Sequence, residues 1–229
     1  MNLLLLECKL LTRNKRLKQQ AIVFMLFMPF IIYLQLANPV VQESFLQKEG
    51  HLFMLFVLPT ANFASIVFSI NALFIEKQVT VPLPISKIVK AKYKFYCTLS
   101  FLLFIAFLPS LFLGITILEL AGAFLFCIGF MYFGVFIYSL FTYKPFNVKS
   151  SVYFNYQGHT VGTFVYAALL VAISYGFVFL YRIYDETITL IIMSVVGLVF
   201  IATNRIWLGF IARRFEKTKH YRLERFNEK

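Results

Sequence analysis

Six long apolar runs divide the sequence, and they restrict it to a fold that uses lipid as its solvent. Of the 229 residues, 60% are hydrophobic, whereas soluble domains hold roughly 45–50% apolar residues. A chain of this size has too much surface per residue to hide that excess in one globular core. Runs of roughly 17–25 apolar residues are long enough to cross a bilayer as α-helices. We therefore expect an all-α membrane protein with six transmembrane helices, at about 21–36, 52–75, 95–117, 120–141, 161–181 and 188–211.

The third and fourth runs are nearly continuous. A single helix of about 45 residues would be more than twice as long as a bilayer is thick. Glu119, beside Gly122, interrupts the apolar sequence best, so we expect the turn between these two spans there.

The basic residues predict the topology. Nineteen of the 22 lysines and arginines lie in four segments that six spans place on one side. An excess of lysine and arginine marks the cytoplasmic side, so both termini are expected in the cytoplasm. A net charge of +12 would suggest nucleic acid for a soluble protein, but here the charges alternate with apolar runs, so no nucleic-acid partner is expected. The predicted outer side leans acidic, with Glu43, Glu49, Glu119, Asp185 and Glu186.

The chain is interpreted as one transmembrane domain, 1–229, with a basic cytoplasmic tail at 212–229. At the other end, leucines recur at helical spacing through residues 1–20, with basic residues between them. This pattern predicts an amphipathic helix in the inner membrane interface, in contact with anionic lipid headgroups. The alternative is a basic flank that only sets the topology.

The connector after the second span contains two prolines and five lysines. Pro82 and Pro84 cannot lie inside a regular helix, and each favours extended geometry in the residue before it. Ser86 is a good N-cap, so a new helix is expected to begin there and lead into the third span. The plain alternative is a loop that only obeys the positive-inside rule.

This connector resembles a motif of the membrane (permease) subunit of type-2 ATP-binding-cassette (ABC) exporters. In that family an acidic residue closes the second span, and a threonine, a Leu-Pro-Ser/Thr cluster and a basic helix follow. The matching residues are Glu76, Thr80, Leu83, Pro84, Ser86, Lys87 and Lys92. Pro82 departs from the family pattern, and the short "YRIYDET" segment leaves no room for the re-entrant helix of many relatives.

The resemblance implies a transmembrane subunit of an ATP-driven exporter, in the plasma (inner) membrane of a bacterium. Its first cytoplasmic loop, at Glu76, Thr80, Leu83, Pro84, Ser86 and Lys87, would couple it to an ABC ATP-binding subunit. A second permease copy or a paralogue would complete the translocation path. The chain has no G-x-x-x-x-G-K-[ST] loop, so no cofactor is expected in it, and ATP and magnesium would belong to the partner ATPase.

Two sets of small or polar residues within the spans have alternative interpretations. Asn62, Ser65 and Ser69 share one face of the second span and either hold helices together or line the pathway. In the fifth span a small-residue stripe permits close helix approach, either within one subunit or at a subunit interface. It consists of Ala168, Ala172 and Gly176.

The remaining chemistry-bearing residues predict no catalytic or metal site. The three cysteines match no metal-binding spacing, and no histidine lies beside an acidic cluster. No carboxylate lies deep in a predicted span, which argues against a proton-coupled antiporter, and Arg205 is expected to snorkel to the interface. The chain is therefore not expected to be an enzyme. The alternatives are a non-transporting scaffold or immunity-type subunit, and a polytopic membrane enzyme.

Overall fold

A computed structural model of the chain describes residues 3–38, 40–41, 44–64, 84–141 and 161–227. Within these ranges the regular structure is entirely helical. The α-helices are α1 (Leu3–Arg13), α2 (Lys15–Ile22), α3 (Met28–Leu36), α4 (Phe45–Ala64), α5 (Ile85–Phe107), α6 (Ile117–Phe126), α7 (Tyr132–Ser139), α8 (Val161–Val178), α9 (Glu186–Ala202) and α10 (Asn204–Asn227).

Two described helical segments are long and apolar enough to cross a membrane, Ile85–Leu113 and Ile117–Ser139. The first joins α5 to a 3₁₀ turn, and the second joins α6 to α7 through the π-helical segment Cys127–Met131. The shorter of the two, with 23 residues, is about 35 Å long, which exceeds the roughly 30 Å of a bilayer's hydrocarbon core. The prediction of an all-α membrane protein is confirmed at this level. The number of six spans stays a prediction.

The turn between the third and fourth predicted spans lies earlier than expected. Gly114 has a φ of 82°, a left-handed conformation that glycine adopts without steric cost. Thr116 then caps α6 in a reciprocal capping box, in which its backbone N–H donates to Glu119 Oε2 at 2.6 Å. The prediction that the turn lies at Glu119 was therefore wrong, because this carboxylate secures the first turn of α6.

The last predicted span is not one straight helix. The α9 helix and residues 204–219 of α10 meet at a bend of 56°. Side chains add hydrogen bonds to carbonyls next to the break: Thr203 Oγ1 donates to the Val199 carbonyl at 2.8 Å, and Trp207 Nε1 donates to the Phe200 carbonyl at 2.9 Å. Arg205 follows the bend directly and is exposed. Taken as one broken span, the pair is a third candidate for crossing the membrane.

The π segment of 127–131 and α9 cross at a close backbone approach. Gly129 and Gly197 are buried and face each other there. A Cβ atom on Gly129 would overlap the backbone of Gly197, and one on Gly197 would overlap the backbone of Leu125 and Phe126. Glycine at both positions therefore permits a backbone-to-backbone approach that no other residue allows.

The bundle has two ends that carry polar groups. The Pro84 end comprises Pro84, the first turns of α5 and the packed helix α1. The Gly114 end comprises the turn 114–116 and the first turns of α4, α6 and α9. Residues 1–20 were predicted as one interfacial helix, whereas the described part of this segment has a break between α1 and α2 at Asn14.

Candidate functional site

Pro84 begins the strongest candidate site. It is exposed and serves as the N-cap of α5, with an extended backbone at φ −62° and ψ 127°. The Lys87 N–H donates to the Pro84 carbonyl at 2.9 Å. Ser86 was predicted to cap this helix and does not, because the fixed φ of proline already places the N-cap two residues earlier. The predicted new helix is present, and it continues without interruption to Phe107.

Three exposed lysines form a stripe along the start of α5. Lys87, Lys90 and Lys94 are each exposed and lie at i, i+3 and i+7, which places them on one face. Val89, on another face, is buried. The first turn holds no acidic residue, so Lys87 faces the positive end of the helix dipole without compensation. We call these residues, together with Pro84, the lysine stripe.

Lys92 behaves differently from the stripe. Its side chain is only 1% exposed, and its Nζ lies 3.0 Å from Oε1 and 3.2 Å from Oε2 of Glu7, which is 11% exposed. Glu7 lies on α1, so this buried ion pair fixes α1 to α5. The resemblance included Lys92 among the residues of the basic helix. Its burial leaves Lys87, Lys90 and Lys94 as the lysines of α5 that a partner can reach.

Contacts of Tyr93, on the same helix as the lysine stripe, connect α5 to the rest of the bundle. The Tyr93 hydroxyl donates to the Ile128 carbonyl in the π segment at 3.1 Å. The Tyr93 and Trp207 rings meet edge to face with centroids 5.1 Å apart, which joins α5 to α10. Both side chains are buried. Packed side chains therefore join the start of α5 to the π segment and to α10.

Half of the six predicted coupling residues lie outside the described part of the chain. Glu76, Thr80 and Leu83 lie outside the described residues, as do Ser65 and Ser69 of the predicted pathway face. Asn62 lies in α4, where the structure describes its backbone.

The small-residue stripe of the fifth span lies on α8. Ala168, Ala172 and Gly176 are exposed, and a Cβ atom on Gly176 would meet no heavy atom of the described part within 4 Å. The described helices therefore leave this stripe uncovered. The prediction of a subunit interface there stays a prediction.

A cavity of about 260 Å³ lies between α3, α4 and α8. Its polar lining residues are Gln35, His51 and Tyr175, among apolar neighbours such as Ile31 and Met54. His51 Nδ1 donates to the Gln47 carbonyl at 2.6 Å, which fixes the orientation of the ring. The described residues include no group of three metal-ligating side chains close enough to hold an ion. What they offer chemically is hydrogen bonding and charge at helix surfaces.

One comparison with known proteins identifies a family. The sequence profile of a family of unknown function, DUF5687, matches residues 1–229. The chain belongs to the DUF5687 family. No curated protein and no solved structure matches it.

The Glu7–Lys92 pair of this DUF5687 chain was missed by sequence reasoning. The two residues are 85 positions apart, and no spacing rule relates positions at that distance. One signal was available, because Glu7 is the only acidic residue among the first 20. A lone carboxylate on a basic amphipathic helix favours a specific basic partner, since lysines on its own helix would be solvated.

Proposed function

We propose that this chain is the transmembrane subunit of an ATP-driven exporter of the type-2 ABC class. In this proposal six spans cross the inner membrane of a bacterium, and both termini and the Pro84 end lie in the cytoplasm. A separate ATP-binding subunit docks on the Pro84 end. A second copy or a paralogue completes the translocation path.

The observation that carries the proposal is the lysine stripe beside an exposed proline. Placing Lys87 in the first turn of a helix costs about 0.3–1 kcal/mol, and like charges three or four residues apart add a few tenths more. A sequence selected for stability alone would place acidic residues there. Basic residues at this position are favourable when an acidic surface of a partner covers them.

The packing around the stripe suits a mechanical role. ATP-driven movement of the docked subunit would push on Pro84 and the first turn of α5. The ion pair with Glu7 would make α1 move with α5, and Tyr93 would pass the displacement to the π segment and to α10. The fixed φ of Pro84 restricts the backbone at the contact.

Charge reversal at the stripe tests the proposal. In Lys87→Glu the acidic partner surface would meet a like charge, which costs several kcal/mol across an interface. We expect the amount of ATPase that co-purifies with the chain to fall by about tenfold or more, since 1.4 kcal/mol corresponds to one factor of ten. The measurement is quantitative co-purification from membranes, with ATP hydrolysis of the complex as a second readout.

Lys217→Glu is the matched control. Lys217 is also an exposed lysine, but it lies on α10 and is not part of the lysine stripe, so the same charge change there is expected to leave the complex intact. Equal ATPase recovery with Lys87→Glu and the unmodified chain would contradict docking at the stripe. Loss of binding to anionic lipid vesicles alone would identify the stripe as a lipid contact and would also contradict the proposal.

A further inference from the structure

Glu49 is buried in the second turn of α4, although sequence reasoning placed it in an exposed outer loop. Its exposed fraction is 0%, and both carboxyl oxygens lack a hydrogen-bond partner among the described residues. The prediction failed because α4 begins at Phe45, seven residues before the apolar run starts at Leu52. An ionised carboxylate in such a place carries a large desolvation cost unless a cation pairs with it.

The nearby lysine is already engaged. Lys48 pairs with Glu119 of α6, whose side chain is 4% exposed. The Glu119 carboxylate also accepts the Thr116 N–H at 2.6 Å, so both Lys48 and the start of α6 contact it. One lysine, Lys48, therefore lies near two buried carboxyl groups and forms its ion pair with Glu119.

Other groups around Glu49 do not supply a second cation. Glu186, in the first turn of α9, is acidic and exposed. The phenol of Tyr175 approaches α4 from α8 at Gly50. His51, on α4 itself, directs Nδ1 to the Gln47 carbonyl. The described surroundings thus hold an excess of carboxyl groups over cations.

We propose that Glu49 is a proton-binding site: it holds a proton while α4, α6 and α9 are packed together at the Gly114 end, and it releases the proton when these helices separate. This inference does not depend on the exporter proposal. It assigns the chain a proton-linked conformational change at the end of the bundle opposite to the lysine stripe.

Thermodynamic linkage gives the sign of the pH effect. Burial raises the pKa of Glu49 well above its ordinary value, the nearby Glu119 raises it further, and Lys48 lowers it. The packed state therefore binds more protons than a state in which water reaches Glu49. Packing is fully favoured below the ordinary pKa of a glutamate, about 4.3, and it weakens as pH rises toward the raised pKa. Rising pH thus favours opening.

Infrared spectroscopy of the purified full-length chain in detergent tests the site. We expect a C=O stretching band of a protonated carboxyl group at pH 7 in the unmodified chain. The band should disappear in Glu49→Gln, shift in Glu49→Asp, and persist in the matched control Glu186→Gln. A spectrum without this band at pH 7, or a band that both Glu49 variants leave unchanged, would overturn the assignment.

Thermal unfolding provides the second readout. Above the ordinary pKa of a glutamate, the melting temperature of the unmodified chain should fall by about 3 °C per pH unit where only the packed state is protonated. Glu49→Gln mimics the neutral acid in size and shape, so it is expected to fold and to lose this slope. The slope should remain in Glu186→Gln. Identical slopes in Glu49→Gln and the unmodified chain would contradict proton binding at Glu49.

Discussion

Replacing Glu7 with glutamine is expected to lower the free energy of unfolding by about 3–5 kcal/mol, which is the usual cost of leaving a buried charge without its partner. Lys92 is the more buried member of the pair, with a side chain that is 1% exposed against 11% for Glu7. In Glu7→Gln a neutral amide with a single oxygen acceptor replaces the carboxylate whose two oxygens now lie beside Nζ. Thermal or denaturant unfolding of the purified chain in detergent measures the loss. Faster proteolysis of α1 should accompany it, because the pair fixes α1 to α5.

Two further variants separate the ion pair from a general effect of mutation. Glu216 is exposed on α10, so Glu216→Gln should change stability by no more than about 0.5 kcal/mol. The double variant Glu7→Gln/Lys92→Met removes the stranded charge and should regain most of the loss, since apolar replacement of a buried pair is often neutral. If Glu7→Gln proved as mild as Glu216→Gln, the pair would have no structural role.

A methyl group where Gly129 faces Gly197 should lower the stability nearly as much. Gly129→Ala places a Cβ atom against the backbone of Gly197, and backbone cannot move aside as a flexible side chain can. We expect a loss at the upper end of the roughly 1–3 kcal/mol typical of overpacked sites, or about 6 °C in melting temperature. Gly197→Ala should have a similar effect from the opposite side. The double variant should not be additive, because both changes open the same contact.

Gly209→Ala is the matched control for these glycine variants. Gly209 lies inside α10, and a Cβ atom there would meet no heavy atom of the described part within 4 Å. Alanine is a better helix former than glycine by about 1 kcal/mol, so this change should stabilise the chain slightly. If Gly129→Ala and Gly209→Ala changed the stability in the same direction, the close approach of the π segment to α9 would be refuted.

The apolar runs made the membrane-length helices predictable, because hydropathy over 20 or so residues depends little on tertiary contacts. The ends of the helices were harder to predict. Glu119 was assigned to a turn because it is a rare charge within apolar sequence, yet Thr116 and Glu119 form a T-x-x-E capping pattern that places the turn before them. Ser86 was preferred as a cap by residue type, although Pro84 sets the helix start through its backbone.

The polar contacts of the bundle could not be predicted from local sequence. Lys92 meets Glu7 across 85 positions, and Lys48 meets Glu119 across two helices. Which lysine of α5 is buried depends on the rotation of the helix against α1, and which carboxyl group receives Lys48 depends on how α4 packs on α6. The distribution of lysine and arginine predicts which side of the membrane is cytoplasmic, but it treats all lysines as equivalent. The structure separates the buried Lys92 from the exposed stripe, and this separation makes the site testable.

ATP hydrolysis by the complex purified through this chain tests the central claim most directly. The account predicts that the unmodified chain isolates from membranes with a separate ATP-binding subunit in fixed stoichiometry and with ATPase activity. Lys87→Glu should lose both, and Lys217→Glu should retain both. A folded chain that isolates without any ATP-hydrolysing subunit, or whose ATPase partner is indifferent to Lys87→Glu, would contradict the account.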